Sequence, residues 1–340
     1  MRRLLCLAAL VLVLLAIAAA PAVACGGLVG ENGTIQLTRT TTLAAYHDGV
    51  ERYVTSFEFS GTGRSVGSIV PLPGVPSKVE RGGDWTLQRL EREVAPPTAT
   101  PEFATASGAA LRKDAEVLQQ VQVDALDITI LRGGGDAVGR WAIDHGFLLT
   151  PDAPEVLDFY SQRSKIFMAA RFDASRAASL GQHSGDGTPI MLTIPTDEPW
   201  VPLRILALGL ASTRVVDADV FLLTDARPTV LAADKGVTID RSEAASPALL
   251  DDLRSDKHMQ WTPHAMWLSF VRIASPAGDL HHDLAVSTHA DTLPSARLAG
   301  YVTQPAGRDR GWWDALFCVF VAVPLAVVAG GVAVSNRRAR

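Results

Sequence analysis

Gly63-Arg64-Ser65-Val66-Gly67 has the G-x-S-x-G spacing of a nucleophile elbow, in which a sharp strand-to-helix turn lifts the serine hydroxyl beside backbone N–H donors. Ser65 is therefore a candidate nucleophile for hydrolysis. The flanking chain fits that role poorly. A strand pattern precedes the motif, but Ile69-Val70-Pro71-Leu72-Pro73-Gly74-Val75-Pro76 follows where a helix is required, so a glycine-rich turn between strands is the better reading. His281, Asp283, His289 and Asp291, with His282 between the first two, are the residues closest to a metal-ligand set. On a strand, His281 and Asp283 share a face, and His289 has the same parity. Six residues of strand span about 20 Å, however, so one divalent site would need a bend between Asp283 and His289. A polar, solvated strand face is the simpler expectation, with His281, Asp283 and His289 as the candidate metal ligands.

Two further motifs read as connections. Leu131-Arg132-Gly133-Gly134-Gly135-Asp136 joins a predicted strand to a predicted helix, but its glycines, ending at Gly139, do not have the G-x-G-x-x-G spacing. Asp136 at the helix start would repel a pyrophosphate and serves better as an N-cap. His47-Asp48-Gly49 is a hairpin turn, because Asp-Gly accepts the positive φ that a tight turn requires. No cofactor is expected. The tryptophans Trp85, Trp141, Trp200, Trp261 and Trp267 are scattered, and core or rim positions account for them.

The elements that must carry these residues are mostly strands. Tyr53, Thr55, Phe57 and Phe59 alternate with Val54, Ser56 and Glu58, the period of two of a strand with two distinct faces. Ile69–Pro76 reads as an edge strand running into a loop, since proline cannot donate to a ladder. A short helix is expected over Trp85–Val94, and another through Leu111, Ala115, Leu118 and Val121, which recur at helical spacing. Asp127–Leu131 is a predicted strand. Asp136 then opens a helix bearing Val138, Trp141 and Ala142, which ends at Gly146, with His145 in its last turn where a cation suits the dipole. Pro154 starts a helix through Phe159, and Ser246-Pro247 starts another. Further strands are expected at Ile166–Phe172, Ile190–Ile194, Arg204–Leu208, Val220–Leu223, Met266–Ile273 and Leu284–Ser287. The class is mixed α+β, strand-rich.

Both ends of the 340-residue chain address it to a membrane. Residues 1–24 have the form of a signal peptide: Arg2 and Arg3, an apolar core from Leu4 to Ala20, and Ala22-Val23-Ala24 as a cleavage site. Ala315–Val334 is an uncharged apolar run of the roughly 20 residues needed to span a hydrocarbon core. Trp312 and Trp313 precede it at an interfacial position, and Arg337, Arg338 and Arg340 follow it on the expected cytoplasmic side. The stretch before it has no sorting motif that would remove the helix. The predicted protein is thus single-pass, with an extracytoplasmic N-terminal domain and a cytoplasmic tail at 335–340. Ala322, Ala326 and Gly330 form a small-residue stripe through which two such helices could pack. Cys6 leaves with the signal and Cys318 lies in the span, so Cys25 is alone in the exported part and no internal disulfide is available. Cys25 is either a lipid acceptor or a free cysteine after simple cleavage.

Two of the 31 basic residues lie in the signal and three in the tail, leaving 26 against all 36 acidic residues, so the exported part has a charge of about −10. That balance repels phosphate backbones and excludes nucleic acid as the expected partner. The exported part divides into a strand-rich stretch at 25–94, a Pro/Ala/Thr-rich linker or long loop at 95–108, an α+β stretch at 109–304 and a juxtamembrane stretch at 305–314. The loop either separates two domains or crosses the surface of one.

Cys25-Gly26-Gly27, Ala45-Tyr46-His47-Asp48-Gly49, Tyr53-Val54-Thr55-Ser56-Phe57, Ile69-Val70-Pro71-Leu72-Pro73-Gly74, Trp141 through Gly146-Phe147, Ile166–Phe172 and Pro202-Leu203-Arg204 occur in order and together resemble one bacterial family. It is the family called domain of unknown function twenty-three thirty. The resemblance spans most of Cys25 to about Leu223 and implies an exported, often membrane-anchored bacterial protein; it implies no catalytic residues. With no assembled catalytic set, the expected function is a non-catalytic binding or envelope-organising module with an envelope or membrane protein as partner. The alternative is a membrane-anchored envelope hydrolase, dependent on Ser65 or on a metal.

Overall fold

Period-two patterning dominates the chain, and strands dominate the computed structural model, which describes residues 27–30, 36–60, 65–95, 115–181, 188–231, 234–289 and 292–301. The predicted signal, Cys25, the linker beyond Ala95, the stretch at 305–314, the apolar run 315–334, the tail and Asp291 lie outside the described residues. Among the described residues no helix is long and apolar enough to cross a membrane.

In chain order the elements are β1 (Gly27–Gly30), β2 (Gln36–His47), β3 (Val50–Ser60), β4 (Ser65–Leu72), β5 (Lys78–Arg81), α1 (Thr86–Val94), β6 (Glu116–Val123), β7 (Leu126–Arg132), α2 (Gly135–Asp144) and α3 (Ala153–Ser161). They continue with β8 (Ile166–Asp173), α4 (Ala174–Ser179), β9 (Ile190–Pro195), β10 (Trp200–Val201), β11 (Val215–Thr224), β12 (Thr229–Leu231), β13 (Val237–Ala244), α5 (Pro247–Ser255), β14 (Trp267–Pro276) and β15 (Leu284–Ser287). The sheet orders are β13-β14-β11-β2-β3-β9-β5, β1-β4-β8-β7-β6 and β10-β15-β12. The β2–β11 pair is parallel, and the other strand neighbours run antiparallel.

The seven-stranded sheet is buried on both faces. One face packs Leu43, Val54, Phe221 and Phe270 against Leu87 and Leu90 of α1 and Leu249, Leu250 and Leu253 of α5. The other places Tyr53, Leu192 and Val220 in a second core, shared with the five-stranded sheet and with α2 and α3. Two-sided burial accounts for Val54 and Tyr53, neighbours on β3, each lying in a different core. Strands from before and after the 95–108 stretch share both large sheets, and all the described residues fall within one compact unit, 1–301.

Local signals set several boundaries as expected. Asp48 and Gly49 have φ of +50° and +72° in the β2–β3 hairpin turn. The Ser246 hydroxyl accepts from the Leu249 N–H at 3.2 Å, ahead of proline at the start of α5. Gly146 ends α2 with φ of +82°.

Four expectations are corrected. Leu111 lies outside the described residues, and Leu118 and Val121 are not helical: the chain from Glu116 is β6, in register with β7 from Gln119↔Ile130 to Val123↔Leu126. Val121 and Val123 alternate with Gln120 and Gln122, and this period of two prevails once β7 supplies a partner. Arg204–Leu208 is not a strand but a 3₁₀ turn at Arg204–Ala207, because the Leu203 and Arg204 N–H groups donate to the remote Asp283 carboxylate at 2.8 and 3.0 Å. Helix α2 starts one residue before Asp136, with Gly134 as its N-cap. A Cβ on Gly135 would lie 2.6 Å from the Asp158 backbone nitrogen, so the glycine run serves the close approach of α2 to α3. Finally, β4 lies between β1 and β8 rather than at an edge; Pro71 is tolerated because β1 pairs only as far as Ile69.

Candidate functional site

Ser65 does not sit on an elbow. It is the first residue of β4, paired in register with Asp173 of β8, and a strand rather than a helix follows it. The glycine that completes its motif has a packing role. A Cβ on Gly67 would come within 2.1 Å of the Phe147 ring, so the ring lies directly on the strand there.

The histidine-rich stretch is also dispersed. Asp283 is buried, and its Oδ1 accepts from the Tyr160 hydroxyl at 2.8 Å as well as from the Leu203 and Arg204 N–H groups. Its Oδ2 lies 2.8 Å from Arg163 Nη2, in an ion pair with both side chains almost wholly enclosed. Arg163 also lies 3.9 Å from the Phe159 ring centroid and donates to the Leu298 carbonyl at 2.7 Å. The carboxylate, just ahead of β15, thus staples α3 to the segment after β10. His282 instead meets Asp234 at 2.7 Å and stacks on Tyr301 at 4.0 Å, while His281 is exposed with its backbone N–H on Asp234. The structure therefore does not bring His281, Asp283 and His289 together as ligands. Among the described residues the one group whose ligand atoms converge is His47, Asp48 and Asp225, an open surface cluster at the β2–β3 turn in which His47 Nδ1 lies 2.6 Å from Asp225.

A concave feature lies on the outer face of the five-stranded sheet. Register places Gln120 opposite Thr129 and Thr129 opposite Ala169, then Gln122 opposite Asp127 and Asp127 opposite Arg171. Period-two alternation puts all of these side chains on the same face as Gly67. The C-terminal end of α2 roofs this face with Trp141, His145 and Phe147, enclosing a cavity of about 360 Å³. His145 stacks on Trp141 with ring centroids 4.0 Å apart, and its Nδ1 lies 2.6 Å from the Trp141 carbonyl oxygen. Trp141 is only 3% exposed, and its indole N–H has no acceptor among the described residues. Asp127 is held by Arg176 at 2.9 Å and accepts from Gln122 at 3.2 Å; burial nevertheless moves its carboxyl above the usual range. The cleft therefore offers two amides at its rim, aromatic rings on its roof and a floor that mixes Thr129 and Ala169 with Asp127 and Arg171, a set suited to holding a polar, hydrogen-bonding group. Trp141 and His145 had a sequence signal, the i, i+4 spacing that puts both on one helical face. Gln120 and Gln122 have none, because the helical spacing of Leu118 and Val121 overlies their period of two.

A second unusual group is separate from the cleft. Glu51 on β3 is wholly buried, neither of its oxygens has a partner, and burial raises its carboxyl from 4.5 to about 8.

Among known structures, the chain is similar to the crystal structure of baculovirus P35, at 10% identity over 76% of this chain and 99% of that one, with a TM-score of 0.41. It is also similar to a mutated baculovirus P35 after caspase cleavage, at 8% identity over 73% and 99%, with a TM-score of 0.37. Likenesses this distant carry no argument about function. No curated protein matches the chain. Residues 19–280 match the family described as "Uncharacterized protein conserved in bacteria (DUF2330)", most of the chain, and the protein belongs to that family.

Proposed function

We propose that this protein is a non-catalytic binding or envelope-organising module, exported and held at the bacterial membrane by residues 315–334, which engages an envelope protein through the cleft beneath α2. The observation that carries the reading is a cavity of about 360 Å³ beneath α2, lined by Trp141, His145 and Phe147 and rimmed by Gln120 and Gln122. The terminal sequences support the placement, since a cleavable signal and an apolar run with a basic end together orient residues 25–301 outward.

Proximity labelling in cells tests this, with the labelling tag inserted near Ala99 and a membrane-anchored control alongside. A small, reproducible set of envelope proteins is expected from the wild type. The set should vanish with Gln122→Trp, a change at an exposed rim position that fills the cleft mouth. Failure to enrich any protein over the control would overturn the reading.

A further inference from the structure

His47 is set apart from the other histidines that meet carboxylates by what stands around it. Its Nδ1 lies 2.6 Å from Asp225 Oδ1 and its Nε2 lies 3.3 Å from Asp48 Oδ2, so a carboxylate faces each ring nitrogen. A neutral imidazole carries one N–H, and one of these contacts therefore sets an acidic oxygen against a nitrogen lone pair. Beside the other histidines the carboxylate is compensated from a second side. Glu80, which meets His258 at 2.8 Å, is also held by Lys78 at 2.7 Å. Asp234, which meets His282, also accepts from the His281 and His282 backbone N–H groups. Among the described residues neither Asp48 nor Asp225 forms an ion pair with a lysine or arginine. The Arg52 guanidinium feels the Asp48 charge but stacks on Trp261, 4.3 Å from the ring centroid.

The fold brings the three side chains together from two directions. β2 and β11 run parallel with Tyr46 opposite Thr224 as their last pair, so His47 and Asp225 leave neighbouring strands at the same end. Asp48, with φ of +50°, turns the β2–β3 hairpin beside them. One ligand atom from each residue lies within 4.8 Å of the other two. We propose that His47, Asp48 and Asp225 are the protein ligands of a divalent transition-metal ion, with zinc as the reference ion. An imidazole nitrogen with two carboxylate oxygens suits zinc, whereas calcium takes oxygen ligands and gains nothing from the ring. Two carboxylates beside a neutral ring also carry the charge that a divalent ion neutralises. Ligand atoms around tetrahedral zinc stand roughly 3–3.5 Å apart, a spacing that rotation of two exposed carboxylates reaches from the arrangement present. The open side leaves the fourth position to water. Such an ion ties the β2–β3 turn to the end of β11, and its ligands share no residue with the cleft beneath α2.

The test titrates the full chain in detergent micelles, freed of metal by a chelator, with zinc chloride in a calorimeter. One zinc per chain is expected. The affinity should fall at least tenfold in each of His47→Ala, Asp48→Asn and Asp225→Asn, and should be unchanged by Cys25→Ser or by His281→Ala/His289→Ala. Cobalt(II) in place of zinc should give the visible absorption bands of a tetrahedral site, and these should vanish with His47→Ala. Because the cluster lies at the surface, the variants should keep the wild-type circular dichroism. Zinc should then raise the urea midpoint of the wild type and not that of His47→Ala. No uptake, or uptake unchanged by both His47→Ala and Asp225→Asn, would overturn the site.

Discussion

Glu51 is wholly buried, and among the described residues no partner compensates its charge. The folded protein therefore holds the proton until the pH reaches about 8, whereas the unfolded chain releases it near 4.5. Below 4.5 both states are protonated and the group exerts no pH-dependent cost. Between 4.5 and about 8 the folded state binds more protons, so stability falls as pH rises through that window. At roughly 1.4 kcal/mol per unit, the loss by pH 8 is on the order of 4 kcal/mol. Urea unfolding of Glu51→Gln at pH 5, 6.5 and 8 should show a flatter profile than the wild type, with the largest gain at pH 8; parallel profiles would refute the assignment. Asp283 shows the opposite arrangement, a buried carboxylate compensated on every side. Asp283→Ala should cost about 3–5 kcal/mol in urea unfolding, because Arg163 is left as an unpaired enclosed charge. Asp283→Asn combined with Arg163→Met keeps an acceptor for the Leu203 and Arg204 N–H groups and removes the charge. It should recover most of the loss, a recovery that a metal-ligand role for Asp283 would not give.

Among the elements, the cleft depends on a helix end docked on a strand, and Gly67 is the point of contact. Gly67→Ala forces Phe147 from its seat and should destabilise by about 1–3 kcal/mol. The same substitution made in Phe147→Ala should cost much less, and the double-mutant cycle reads that coupling directly. The contact also explains what was legible beforehand. Hairpins and caps announce themselves locally: Asp48-Gly49, Ser246-Pro247 and Gly146 each act within their own turn, and each was readable. Partners distant in sequence were not. The Arg204–Ala207 turn is set by a carboxylate about 80 residues away, and β6 takes its form from β7 although its apolar residues also fit a helical period. The candidate site was hidden for the same reason. Its floor is a cross-strand pattern over β6, β7 and β8, visible only once register is known, while its roof showed as the Trp141–His145 spacing. Serine and histidine motifs drew attention because their spacing is sequential, yet the fold uses Gly67 and Asp283 for packing and anchoring.

For the molecule as a whole, the placement of function depends on which side of a membrane the cleft faces. On the proposed placement the outward part carries about −10 and is repelled by anionic headgroups, so the proposed attachment runs through 315–334 and not through surface adsorption. This separates two kinds of membrane association by their response to salt. The full chain should sediment with membranes and stay there in high salt or carbonate, because an apolar span of that length is held by the hydrophobic effect. A chain ended after Tyr301 with its signal intact should leave the membrane fraction and appear in the extracytoplasmic fraction, retaining the compact unit that contains the cleft. Release of the full chain by salt would refute the span. If instead the truncated chain stays with the membrane and Cys25→Ser frees it, the anchor is a lipid on Cys25. In that case the cleft still faces outward, and only its tether changes.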